Sequence, residues 1–341
     1  MRGCLRQKHY ICSPLSNFTA MQLGILLTKD HRLLSAAAIL DVLETANRFY
    51  RDEGKNEPFT IDLLHLPDHQ TLSYPGYTAK SPAKEEYYDL LLIPSFTGEW
   101  LSESLKANLA WVPWLQDQYR EGAAIASFCT GAFLLGASGL LDNKPATTHI
   151  NAEQAFAKLF PSVQLQAEAV VTEQDRIFTS GGATNTFHLL MLLLEIYCSR
   201  KTAVKAAKVF SIDLDRNRQT YFGTFTPAED HGDDLVKRAQ EEIRKNFSTA
   251  NTIEELITDV PASRRNLVRR FKQVTGITPI EYLQKTRIEA AKQMLEQSRH
   301  SILEVMLESG YNDLKTFRSL FKKNVGMTPK MYREKFSGQL V

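Results

Sequence analysis

Cysteine is scarce. There are four in 341 residues, Cys4, Cys12, Cys129 and Cys198. None stands at zinc-ligand spacing, and a disulfide framework built on them would be sparse. That usage fits a reducing, cytoplasmic setting, with no metal and no cofactor expected. Long apolar runs are missing too. The stretch from His188 to Glu195 is too short to span a membrane and reads as a buried helix. Residues 1–20 carry early basic residues but no apolar core of signal-peptide length. Pro14, Ser16 and Asn17 mark them as a disordered leader, and Met21 opens onto an apolar strand and reads as an alternative translation start. No membrane partner is expected. Overall charge is also nearly absent, at +2, but it is unevenly placed. Residues 234–341 hold 20 Lys and Arg against 13 Asp and Glu, which leaves 21 against 26 elsewhere. A basic end beside an acidic remainder points to nucleic-acid contact by the C-terminal part alone. The length allows two domains, each with its own core.

What the chain does have is an internal repeat in its last hundred residues. Residues 263–285 and 313–335 align at a shift of 50, which places Phe271 on Phe321, Gly276 on Gly326, Thr278-Pro279 on Thr328-Pro329 and Tyr282 on Tyr332. A repeated supersecondary unit is a stronger signal than a single motif. Thr252 with Glu255, and Ser301 with Glu304, have the spacing of capping boxes, which open short helices over 253–258 and 302–308. A tight break follows each, with Pro261 in the first copy and Gly310 in the second. Ser263 and Asp313 then cap second helices with apolar residues at helical spacing: Leu267, Val268, Phe271, Val274 and Phe317, Leu320, Phe321, Val325. Short helix, tight turn and second helix make a helix-turn-helix, here twice, over 252–274 and 301–324. Thr278 and Glu281 form a third capping box, with Pro279 at its start, opening a long connector helix over about 280–297.

The outward face of each second helix is polar and basic. The first offers Arg264, Arg265, Asn266, Arg269 and Arg270, and the second offers Lys315, Thr316, Arg318, Ser319, Lys322 and Lys323. Such side chains hydrogen-bond base edges in the major groove and hold phosphates beside them. The DNA-contacting candidates are Arg264, Arg265, Asn266, Arg269, Lys315, Thr316, Arg318, Ser319 and Lys322. A helical bundle with a merely solvated charged face would not need two copies in register.

With these residues in place, 235–336 resembles the double helix-turn-helix domain of the AraC/XylS family of bacterial transcription regulators. The resemblance rests on Arg270-Phe271, on the run from Gly276 through Thr278-Pro279 to Tyr282, on Arg287, on Gly310-Tyr311, and on Phe317, Phe321 and Gly326 through Pro329. Two departures stand out. Ile257 and Met306 occupy positions where the family has a small Ala, and Ser319 stands where it has Arg. The resemblance implies double-stranded DNA, a homodimer and RNA polymerase as partners.

Residues 21–210 alternate strand and helix patterns. Strands are expected at 22–27, 59–66, 88–94 and 123–129, with a pair at 163–169 and 170–179. Helices are expected at 33–50, 103–119, 131–139, 152–160 and 185–197. That order indicates an α/β domain with a mostly parallel, flavodoxin-like sheet flanked by helices, joined by a linker over 211–234 to an all-α domain. A strand ends on Cys129 and a helix begins at once, the layout of a nucleophile elbow. A helix N-terminus favours a thiolate, while a small buried core thiol would be inert.

This half is similar to the ThiJ/PfpI-type, amidotransferase-like domain, clearest at Cys129 through Leu135, Gly139 through His149 and Phe178 through Gly182. Enzymes of that superfamily pair the elbow Cys with an acid from the first strand–helix connection. Ser35 falls at that position, and Thr130 follows the Cys where protease-like members have His. His188 replaces a frequent Asp. Cys129, Thr130, His149 and Ser35 are thus candidates to line a ligand pocket rather than catalytic residues. The leading expectation is a DNA-binding regulator, by resemblance an activator, whose non-catalytic α/β domain senses a small-molecule effector or mediates dimerisation. The alternatives are a Cys129-dependent hydratase or amidase fused to a DNA-binding domain, and an α/β domain that only dimerises.

Overall fold

The structure is a computed structural model that describes residues 20–67, 76–83, 85–96, 101–182, 184–214, 219, 222–225, 227, 231–250, 252, 255 and 263–337. The expected leader, Cys4 and Cys12 lie outside these residues. So do the helix and turn expected over 253–262, Ile257 and Pro261 included, and parts of the linker.

The first half is a seven-stranded sheet in the order β3-β2-β1-β4-β5-β9-β8. Its strands are β1 (Met21–Leu26), β2 (Phe59–Leu64), β3 (Ala79–Lys80), β4 (Leu90–Ile93), β5 (Ala124–Phe128), β8 (Val171–Gln174) and β9 (Ile177–Ser180). All neighbours run parallel except β8 and β9. The central strands β4 and β5 are buried along their whole length, which is why they read as unbroken apolar or small runs. Helices α1 (Leu33–Asp52), α6 (Asn185–Tyr197) and α7 (Arg200–Val209) cover one face around Ile39, Leu43, Leu190 and Ala206. On the other face lie α2 (Leu101–Asn108), α3 (Val112–Arg120), α4 (Ala132–Ala137) and α5 (Glu153–Leu159), around Trp111, Leu115, Phe133 and Phe156. A two-stranded ribbon of β6 (Pro145–Ala146) and β7 (Gln164–Leu165) sits beside them.

Three details depart from the pattern reading. The helix expected over 103–119 is broken by a single 3-10 turn at Leu109–Trp111. Pro113, which has no N–H to give, restarts the helix in its first turn. The strand pair expected at 163–169 and 170–179 is instead a hairpin within the second stretch. Its turn residues, Asp175 and Arg176, both take positive φ (52° and 64°). Finally, Ser199 caps α7 by accepting from the Thr202 N–H, so a helix fills residues that had carried no strong periodic signal.

The second half is helical: α8 (Asp234–Asn246), α9 (Arg264–Thr275), α10 (Pro279–Gln297), α11 (Ile302–Glu308), α12 (Leu314–Val325) and α13 (Pro329–Phe336). The capping boxes at Thr278/Glu281 and Ser301/Glu304 are both formed. The Glu255 N–H reaches Thr252 Oγ1 at 3.3 Å, consistent with the first cap. Gly276 and Gly326 end α9 and α12 in the left-handed conformation, at φ 81° and 87°. Two separate apolar clusters hold this half. One joins Val236, Ile243, Leu267, Phe271 and Tyr282, and the other joins Leu295, Val305, Met306, Phe317, Phe321 and Tyr332.

Candidate functional site

Ser263 and Asp313 cap α9 and α12 by accepting from the N–H groups of Asn266 and Thr316. Capping at one end and the glycine stop at the other fix the two helices at the same length, twelve residues each. On α9, Leu267 and Phe271 turn inward, leaving Arg264, Arg265 and Arg269 exposed and Asn266 half-buried. Asn266 Oδ1 accepts from Arg269 at 3.2 Å. On α12, Phe317 and Phe321 are fully buried, while Lys315, Thr316, Arg318, Ser319, Lys322 and Lys323 are exposed. The repeat therefore presents two equivalent basic faces, with Leu267 and Phe271 committed to one apolar cluster and Phe317 and Phe321 to the other.

Two arginines on this side do other work. Arg270 grips Asp233 through Nε and a terminal nitrogen, both at 2.8 Å, which ties α9 to the residue capping α8 and holds that carboxyl below its usual range. Arg287, in the middle of α10, donates to the carbonyls of Phe247 and Ala250, each at 2.7 Å, and lies 5.4 Å from the Tyr311 ring centroid. Gly310 passes beneath it. A Cβ there would come within 2.7 Å of the Phe247 carbonyl oxygen and 2.9 Å of Arg287 Nε. Met306, in place of the expected small residue, is buried in the second cluster.

The elbow is formed in the other domain. Cys129 follows β5 with φ 55°, a left-handed conformation unusual outside glycine. Gly131 then passes so close to β4 that a Cβ would meet the Ile93 and Pro94 carbonyl oxygens at 2.6 and 2.7 Å. The thiol is buried. Burial pushes it up to about 11, outweighing the Thr130 groups and the Arg32 charge, which favour the thiolate.

The other pocket candidates are engaged in structure. Thr130 Oγ1 bonds both the N–H and the carbonyl of Phe96. Ser35 Oγ accepts from the Ser95 N–H at 3.1 Å. Both hydroxyls thus anchor the segment after β4. His149 Nδ1 accepts from the Asn151 N–H at 3.1 Å, and burial, with Arg32, lowers its pKa. Among the described residues no hydrogen bond joins His149 to Cys129. Asp30 does lie in the first strand–helix connection, but its carboxylate accepts from Ser104 Oγ at 2.9 Å. His188 bonds the Asp213 carbonyl at 2.9 Å. Arg32, whose charge reaches both Cys129 and His149, was not singled out by the sequence. Only the position of its loop at the end of β1, one strand from β4, could have suggested it.

Comparison with known proteins agrees with both halves. Residues 256–335 match the helix-turn-helix domain model, and residues 72–196 match the DJ-1/PfpI family model. The chain joins a DJ-1/PfpI domain to an AraC-type helix-turn-helix domain. Among similar proteins is the HTH-type transcriptional regulator GbdR of Pseudomonas aeruginosa, 25% identical over 94% of this chain and 86% of that protein. Another is the HTH-type transcriptional regulator ArgR of the same species, 28% identical over 93% of this chain and 94% of that one. A crystal structure of an AraC family transcriptional regulator from Pseudomonas putida aligns with 56% of this chain and all of its own, at 21% identity and a TM-score of 0.42. The match to the DJ-1/PfpI model covers the elbow, and the helix-turn-helix match covers both basic helices.

Proposed function

We propose that this chain is a sequence-specific DNA-binding transcription regulator, an activator that works as a homodimer. Its DJ-1/PfpI domain serves sensing and dimerisation rather than catalysis. The observation that carries the reading is the duplicated recognition geometry. Two twelve-residue helices, α9 and α12, each have a side-chain N-cap, a left-handed glycine stop and a split between buried apolar residues and exposed cations. They are joined through α10, whose 19 residues span about 28 Å at helical rise. That length is commensurate with the spacing of about 34 Å between successive major-groove sites on one DNA face. The elbow supports a non-catalytic role. A thiol titrating near 11 is protonated at neutral pH, and no base among the described residues is bonded to it.

The test is operator binding by wild type, Arg265→Ala and Lys315→Ala, after selection of a preferred duplex from a random pool. Each substitution removes an exposed group, so folding is unaffected, and loss of a base contact costs about 1–3 kcal/mol of discrimination. Unchanged affinity and unchanged base preference in both variants would mean that these helices do not read DNA. Turnover of an amide or an aldehyde, lost in Cys129→Ser, would revive the enzyme alternative.

A further inference from the structure

One side chain from the segment between the domains is sunk into the DJ-1/PfpI domain. Gln219 is 1% exposed. Its Oε1 accepts from the Gly182 N–H at 2.8 Å and from Asn185 Nδ2 at 2.9 Å. Its Nε2 lies against the carbonyls of Ala167 (2.8 Å) and Thr148 (2.9 Å) and against Thr147 Oγ1 at 3.2 Å. Its backbone N–H donates to the Glu168 carbonyl at 3.1 Å. Gly181 makes room for it, since a Cβ there would fall 2.1 Å from Oε1. The surrounding Thr147, Thr148 and Asn185 are themselves buried.

This niche is complementary to one chemical group. Two N–H donors face the oxygen and three acceptors surround the nitrogen. A carboxylate would set an anion against two carbonyls, and a guanidinium would set N–H against N–H. Each leaves buried groups unpaired at a cost. A primary carboxamide satisfies both sides. The niche also shares its walls with the elbow. Thr148 Oγ1 donates to the Cys129 carbonyl at 3.0 Å, and a Cβ on Gly182 would lie 3.4 Å from His149 Cδ2.

Beyond Gln219 the chain runs to the DNA-binding domain within a few residues. The Thr224 N–H donates to Asn151 Oδ1, the neighbour that holds His149. The Phe225 N–H donates to Glu289 of α10, and Lys292 of α10 donates to the Gly223 carbonyl at 2.6 Å. The side chain in the niche is thus four to six residues from the contacts that dock the connector helix.

We propose that Gln219 is an intramolecular ligand, and that the niche it fills is the binding site for a small molecule bearing a primary carboxamide. Such a molecule enters by displacing the linker's own carboxamide, which releases the linker. The proposal rests on the regulator reading for its biological use, though not for the binding itself. A tethered group competes at an effective concentration in the millimolar range, so a weak free amide binds visibly only once the tethered one is gone.

The probe is propionamide, with propionate and ethylguanidinium as controls, titrated calorimetrically into full-length wild type, Gln219→Ala, Gln219→Glu and Gly181→Ala. Gln219→Glu covers the case in which the alanine variant fails to fold. The expected result is propionamide affinity at least about tenfold higher in Gln219→Ala and Gln219→Glu than in wild type. Neither control should bind, and Gly181→Ala, whose methyl group occupies the niche, should bind nothing. Equal propionamide binding in all four proteins, no binding in either Gln219 variant, or equal binding of propionate would overturn the proposal. Duplex binding by wild type in the same preparation checks the regulator reading separately, so one can fail without the other.

Discussion

Cys129 is held in a conformation that few side chains adopt, next to a glycine that cannot be replaced without a backbone clash. The elbow is built, yet its thiol is less acidic than a free one. The order of effects explains this: burial removes water from the sulfur, and the nearby N–H, hydroxyl and Arg32 charge recover only part of the loss. The expected outcome is slow iodoacetamide labelling of Cys129 near neutral pH, rising as pH passes through about 11. Peptide mapping by mass spectrometry separates it from Cys198, which burial pushes to about 12. Half-maximal labelling near pH 7 would contradict this picture. A pKa raised from about 9 to about 11 on folding stabilises the protein fully below pH 9, and that contribution is lost as pH rises through 11.

At the scale of elements, local chemistry was legible and distant chemistry was not. The caps at Ser263, Thr278, Ser301 and Asp313 could be read because a cap and its partner lie three residues apart. Each also appears in a repeat, so one copy checks the other. Ser301→Ala should cost the C-terminal domain about 1 kcal/mol, with the denaturant midpoint lowered and the slope unchanged. A value within error of wild type would show that the box adds nothing beyond the apolar cluster behind it. The hairpin at Asp175-Arg176 was misplaced because a turn with two positive φ values usually announces itself with glycine or asparagine, and neither is there. Arg270 read as part of a DNA-facing stripe because its partner, Asp233, is 37 residues away. Gln219 gave no signal at all, since its partners lie between 34 and 72 residues distant. The elbow could be placed from the sequence, but whether its neighbours were free could not, because Ser35 and Thr130 are occupied by a segment from another strand.

For the whole molecule, the uneven charge has a direct consequence. Only the C-terminal part carries excess cations, so DNA affinity should fall with salt along a line whose slope counts phosphate contacts there. Lys322→Ala should weaken binding to every sequence alike and lower that slope by about 1 for each such helix bound. An altered base preference with an unchanged slope would assign Lys322 to a base edge instead. The connector α10 has a further consequence. Its N-terminal part, with Tyr282 and Leu283, is set in one apolar cluster, and its C-terminal part, with Ile288, Ala291 and Leu295, is set in the other. The two basic faces are therefore indexed to each other like marks on a single shaft. One residue inserted after Arg287 would turn the second face by about 100° and advance it by about 1.5 Å. Substitutions on the surface of this rod are forgiving, but a change in its length is not, so the spacing between the two basic faces is inherited from a residue count.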